Sequence, residues 1–237
     1  MEKGAFGVPP ETEGPRLTEY VVFAMGMAAA LFAVTWFRQH RRRSVERVAL
    51  ERGWSFEPAG AAAISALPLS VLSASVRRHV ENVMRGAVGP HDVTVFDLAD
   101  PRQAAWGRPG QAGARSLSCA VLRLPATFPH LVIEPADWSL LSHSAGLEPV
   151  GFESIEFDRE FQVWTASRGD AYAIVDQRMM AWLLAEADDV RFEVNDGLAT
   201  SATWRIPPER LPELAQILVT FVDKIPSVAL RRFGARG

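Results

Sequence analysis

Cysteine is nearly absent from this 237-residue chain: Cys119 stands alone. A lone thiol excludes an intramolecular disulfide and any zinc site built on cysteines. It also fits a reducing compartment. Its surroundings, "SLSCAVLRL", read as an apolar strand with Cys119 as a small core residue. Lysine is almost as scarce, limited to Lys3 and Lys224, so nearly every cation is an arginine. The formal net charge of −3 lacks the positive excess that marks a nucleic-acid-binding chain. No nucleic-acid partner is expected.

The short motifs that carry chemistry are missing as well. The five histidines form no HExxH and no pair on one helix face. His91 has Asp92 and Asp97 nearby but no second histidine, so it makes a poor metal site. Ser142, His143 and Ser144 are adjacent in "LSHSAG", and no G-x-S-x-G elbow occurs. Gly107, Gly110 and Gly113 fall in a glycine-rich loop from Ala99 to Ser116. The interposed Pro109 and the lack of a preceding hydrophobic strand and of a GK[ST] ending argue against a phosphate loop. No catalytic, cofactor-binding or metal-binding residue is assigned. Asp158 and Glu160 are the one carboxylate pair left to an enzymatic reading, since residues two apart on a strand share a face.

Long hydrophobic runs are limited to one. Tyr20 to Phe37, "YVVFAMGMAAALFAVTWF", carries no charge. Its eighteen residues make a helix of roughly 27 Å, close to the hydrocarbon thickness of a bilayer. Tyr20 and Trp36 sit near its ends, where amphipathic rings favour the interface. Its Leu, Val and Phe residues together supply about −2 to −4 kcal/mol of insertion energy. Arginines follow immediately as Arg38, Arg41, Arg42, Arg43 and Arg47, while glutamates dominate the preceding tail. The positive-inside bias therefore expects a single-pass protein of a bacterial plasma membrane, N-terminus outside and C-terminal domain cytoplasmic. A cleaved signal peptide has its basic end before the apolar stretch, not after it. Arg38, Arg41, Arg42 and Arg43 are the candidate membrane-surface residues, facing anionic headgroups. Gly26 and Ala30, four apart, offer a weak seam for homodimerisation.

The expected organisation is a Gly/Pro/Glu-rich disordered tail (1–19), the transmembrane helix (20–37) and a basic juxtamembrane helix (38–53) that Gly53 stops. A domain (54–226) and a basic tail (227–237) follow. Pro68 divides a mixed helical or irregular stretch. Gly89-Pro90 turns a hairpin, and Asn195-Asp196-Gly197 turns a second between "VRFEV" and "LATSATW". "SLSCAVLRLP" and "HLVIEP" read as strands, the first apolar on both faces like a covered central strand. Helices are expected at 176–187 and 208–225, with Pro212 tolerated in the first turns of the second. Strands and helices do not alternate strictly, which argues against a doubly wound parallel fold. The fold class is α+β: an antiparallel sheet covered on one face by helices. A pleckstrin-like small barrel with a C-terminal helix is the alternative.

The phrase "FDREFQVWTASRGDAYAIVDQRMMAWLL" is the most distinctive. Ile155, Phe157, Phe161 and Val163 fall at even intervals, as on the buried face of a strand. Strand alternation then turns Arg159 toward the core and leaves it unexplained. Asp170 and Asp176 are read as helix caps. Phe157-Asp158-Arg159-Glu160-Phe161 with Val163, the hairpin "ENVMRGAVGPHDVTVFD" and Gly53-Trp54 resemble an uncharacterised bacterial family of membrane-anchored proteins. That family's domain has no known function, and its signature is F-[DE]-[KR]-x-F-x-V. The resemblance spans roughly residues 50 to 225 and implies no established activity. The functional expectation is a non-enzymatic, membrane-anchored binding or scaffold module for an unknown protein or small ligand. A membrane-associated enzyme acting on lipid or envelope precursors, or a lipid-sensing domain, is the alternative.

Overall fold

The computed structural model describes residues 17–59, 62–73, 79–99, 116–138 and 146–234. The Ala99–Ser116 loop and the "LSHSAG" stretch lie largely outside these residues. The chain divides into two units, residues 1–39 and 40–237. Helix α1 (Leu17–Glu51) runs through both.

In the first unit the helix is apolar and uncovered. Tyr20, Phe23, Phe32 and Phe37 are each 61–72% exposed. Among the described residues this is one helix long and apolar enough to cross a membrane, and none of its apolar window is buried. Thr35 returns its hydroxyl to the carbonyls of Leu31 and Phe32, which satisfies the polar group without water, as a bilayer demands.

Among the described residues the second unit is α+β, with a nine-stranded sheet in which every strand pairing is antiparallel. The strands are β1 (Ser55–Ala59), β2 (His79–Val88), β3 (His91–Ala99), β4 (Leu117–Arg123), β5 (Leu131–Pro135), β6 (Glu148–Val150), β7 (Phe161–Thr165), β8 (Arg191–Asn195) and β9 (Leu198–Trp204). Their order across the sheet is β1-β2-β3-β4-β9-β8-β5-β7-β6. Both expected hairpins form, β2–β3 around Gly89 and β8–β9 around Asp196-Gly197, with positive φ at all three residues. Strand β4 is central and buried from Leu117 to Leu122, and Cys119 is a fully buried core residue. The strand list is open, with β1 and β6 at its ends among the described residues, so the sheet is not the closed small barrel of the alternative.

Alternation along the strands gives the sheet two buried faces, not one. On the first, Val95, Ala120, Phe192 and Ile133 pack under α7 (Leu211–Lys224), whose Leu214, Leu218 and Phe221 are buried. Phe192 stacks on Phe221 at 4.5 Å. The end of α1 joins this core through Val45 and Ala49, so the compact unit starts near His40, ahead of the expected boundary at 54. Gly53, at φ +69°, ends the helix, and Trp54 then lies against Gly86 so closely that a Cβ there would sit 2.2 Å from the indole. Residues 227–234 are not a tail: they form α8, with Ala229 and Phe233 in the core. On the second face Phe96, Cys119 and Trp138 pack with Ile64 of α2 (Ala62–Ser65) and with Leu69. Pro68 separates α2 from α3 (Ser70–Ser73).

The distinctive phrase departs from its strand reading. Ile155–Glu160 is a helix, α4, capped by the Ser154 hydroxyl, which accepts from the Phe157 N–H. Only Phe161–Thr165 is strand. Phe157 and Phe161 are four apart, so their spacing suits a helix turn as well as a strand, and the two rings stack at 5.3 Å. Ile155 is 88% exposed. Arg159 points to solvent and pairs with its neighbour Glu160 at 2.8 Å, which removes the puzzle of a core arginine. Asp158 and Glu160 accordingly do not share a strand face.

Candidate binding site

Three polar constellations emerge in the folded unit. The first gathers on the second sheet face, where β5, β7 and β8 carry Glu134, Trp164, Arg191 and Glu193. Glu134, Arg191 and Glu193 are at most 1% exposed. Arg191 donates to Glu193 at 3.0 Å and to Glu134 at 3.4 Å. The Glu193 carboxylate also accepts from the Ser70 backbone N–H at 2.7 Å and the Ser70 hydroxyl at 2.8 Å, and lies 2.8 Å from His130 Nε2. Trp164 Nε1 donates to Glu134 at 3.1 Å. Burial alone would push the Glu193 carboxyl up. The His130 hydrogen bond, the Arg191 charge and the Ser70 donors outweigh that, and its pKa is lowered to about 2. The Glu193 carboxylate is therefore an ionised clasp at neutral pH. It fastens the segment around Ser70 to the sheet, helped by Asn195, whose amide donates to the Pro68 carbonyl.

The second constellation centres on Asp97 of β3, which is fully buried on the α7 face. Arg41 grips it with two hydrogen bonds of 2.8 Å and donates to the Ile206 carbonyl. Asn82, at a β-bulge and φ 55°, donates to Asp97 at 2.9 Å, and Ser118 at 3.1 Å. Arg205 bridges Asp97 and Glu81. Arg41 is thus held inside the folded unit and does not face headgroups. Arg42 and Arg43 are exposed, as is Arg38.

The third constellation is open to solvent. Beyond the edge strand β6, a cleft of about 910 Å³ lies between the Gly151–Ser154 loop and helices α5 (Arg168–Ile174) and α6 (Gln177–Glu186). Phe152, Tyr172, Val175 and Met180 supply its apolar lining. The loop is fixed from beneath. Both Asp158 carboxylate oxygens accept from the Phe152 N–H, at 3.0 and 2.9 Å. Tyr172 donates its hydroxyl to the Gly151 carbonyl at 2.9 Å. The Phe152 ring meets Tyr172 and Phe157 edge-on, at 5.2 and 5.5 Å. Asp176 caps α6 as expected, accepting from the Met179 N–H at 2.9 Å. Asp170 does not cap α5. Ser167 holds the N-cap position, and Asp170 in the first turn pairs with Arg232 of α8 at 2.7 Å.

Two of these constellations escape sequence reasoning because their members are far apart in the chain. Arg191 and Glu193 alternate with Phe192 like the wet face of a hairpin, and only the docking of Ser70 reveals them as buried. The members of the Arg41–Asp97 pair are separated by an apparent membrane flank and a hairpin. Of the histidines, His91 lies near Asp223 at 3.6 Å. No group of three or more metal-ligating side chains converges among the described residues.

No family model matches the chain, and no curated protein matches it. A solved structure does. The crystal structure of the mycobacterial trehalose monomycolate transport factor A, TtfA, aligns over 81% of this chain and 94% of that one. The TM-score is 0.58 at 13% identity, a likeness of fold.

Proposed function

We propose that the chain is a single-pass membrane protein whose folded unit is a non-enzymatic binding module working beside the transport of a membrane or envelope component. The observation that carries this reading is the stretch from Tyr20 to Phe37, whose large apolar side chains are exposed on a helix long and apolar enough to cross a bilayer. The interior supports the non-enzymatic half. The buried Glu193 and Asp97 carboxylates are taken up by cations and neutral donors of the fold and face inward, away from any substrate. The fold likeness to a trehalose monomycolate transport factor supports the setting. The resemblance to membrane-anchored proteins with the F-[DE]-[KR]-x-F-x-V signature belongs to the same reading.

The arginine-rich flank supports a folded unit on the cytoplasmic side, with Arg38, Arg42 and Arg43 as the headgroup contacts. A reporter active only in the cytoplasm, fused after Gly237, tests the topology. It is expected to be active, and less so when Arg38, Arg42 and Arg43 are all replaced by Glu. Activity of an outside-only reporter at the same position contradicts the reading.

A further inference from the structure

We propose that the cleft beyond β6 receives a basic amphipathic segment of a membrane-protein partner. The proposal rests on the binding-module reading and names its partner. The cleft has an apolar floor of Phe152, Tyr172 and Met180. Tyr172 is 51% exposed and Ile155, which follows the lining residue Ser154 in the chain, is 88% exposed, so two large apolar side chains project where a surface needs none.

The rim is acidic on balance. Among the described residues Glu153 and Asp176 line the cleft and no cation does. Glu156, one residue after Ile155, and Glu148 on β6 are exposed too. Of the nearby arginines, Arg159 pairs with Glu160, Arg178 with Asp176 and Arg232 with Asp170, which leaves the exposed Glu148, Glu153 and Glu156 against the exposed Arg168 of α5. Engagement of Arg232 also removes the chain's own basic helix α8 as the occupant. An apolar groove under a negative rim fits a helix with apolar anchors on one face and Lys or Arg flanking them. Segments of that composition are concentrated on the cytoplasmic side of membrane proteins, where the reading above places this unit. The hydrogen bonds that fix the Gly151–Ser154 loop mean that the cleft is formed before binding, which lowers the ordering cost of association.

The test uses the full chain in detergent micelles and a fluorescein-labelled amphipathic Leu/Lys peptide, read by anisotropy. Saturable binding is expected, weakened about tenfold or more by the double substitution Glu153→Lys with Glu156→Lys. Ile155→Asp is expected to weaken it similarly, and Asp188→Lys, away from the cleft, to leave it unchanged. A Leu/Glu peptide should bind the doubly reversed chain better than the parent. Melting temperatures of all variants are measured alongside, because an effect on binding counts only where melting is unaltered. Ile155 and Glu153, being solvent-facing, are chosen for that reason. Equal binding by parent and variants, equal weakening by Asp188→Lys, or indifference to peptide charge overturns the proposal. Sedimentation that shows a dimer dissociated by Ile155→Asp overturns it too, because the occupant is then a second copy. None of these failures alters the topology reporter, so loss of the cleft assignment is separable from loss of the membrane-anchored reading.

Discussion

The carboxylates of this protein divide into two populations. Inside the folded unit, Glu193, Glu134 and Asp97 are each fully buried and held by arginine. At the cleft, Glu153 and Glu156 stand in solvent. The chemical group is the same, and the surroundings decide its work. A buried carboxylate with several donors is bound into the architecture: its removal leaves a cation stranded in a low dielectric. An exposed carboxylate adds little to folding, so a rim of them beside exposed apolar side chains is free to serve recognition.

The sharpest break of this comparison is Arg191→Ala. It strands Glu193 and Glu134 together, and a loss of about 3–5 kcal/mol in denaturant unfolding is expected. The next effect is in pH. The Glu193 carboxyl, ordinarily near 4.5, is lowered to about 2 in the folded chain. A depressed folded pKa contributes stability that is fully present above the ordinary value and is lost as pH falls through about 2. The contribution is about 3 kcal/mol. Unfolding free energy measured between neutral pH and pH 2 should fall accordingly, and Glu193→Gln should flatten that part of the curve. A smaller effect comes from Asp176→Ala, which removes the α6 cap and should lower stability by about 1 kcal/mol in the same assay. Smallest of all, Glu153→Lys should change stability by no more than about 0.5 kcal/mol while weakening capture of the Leu/Lys peptide.

The same division explains what the sequence discloses. Local chemistry is legible: Gly89-Pro90 and Asn195-Asp196-Gly197 specify their hairpins, Gly53 its helix end and Asp176 its cap. The fully apolar run around Cys119 marks a central strand. Where two periods fit one pattern, legibility fails. Phe157 and Phe161 satisfy both strand and helix spacing, and the Ser154 cap decides for helix. It fails again where polar residues are buried by remote partners. Arg191 and Glu193 look solvated until Ser70, over a hundred residues earlier, closes on them, and Arg41 looks like a membrane flank until Asp97 takes it. Asp170 illustrates a third limit: Ser167, three residues earlier, already occupies the cap position, and Arg232 from the far end of the chain claims the carboxylate. The cleft itself is assembled from a loop and two helices, so no short window of sequence displays it.

The central claim is that inner carboxylates build the fold and the solvent-standing Glu153 and Glu156 do not. The most direct test is urea unfolding of Glu193→Gln and Glu153→Gln side by side at neutral pH, each removing one charge without changing shape. The account predicts a loss of several kcal/mol for the first and none outside error for the second. Equal losses, or an unaffected Glu193→Gln, would contradict it.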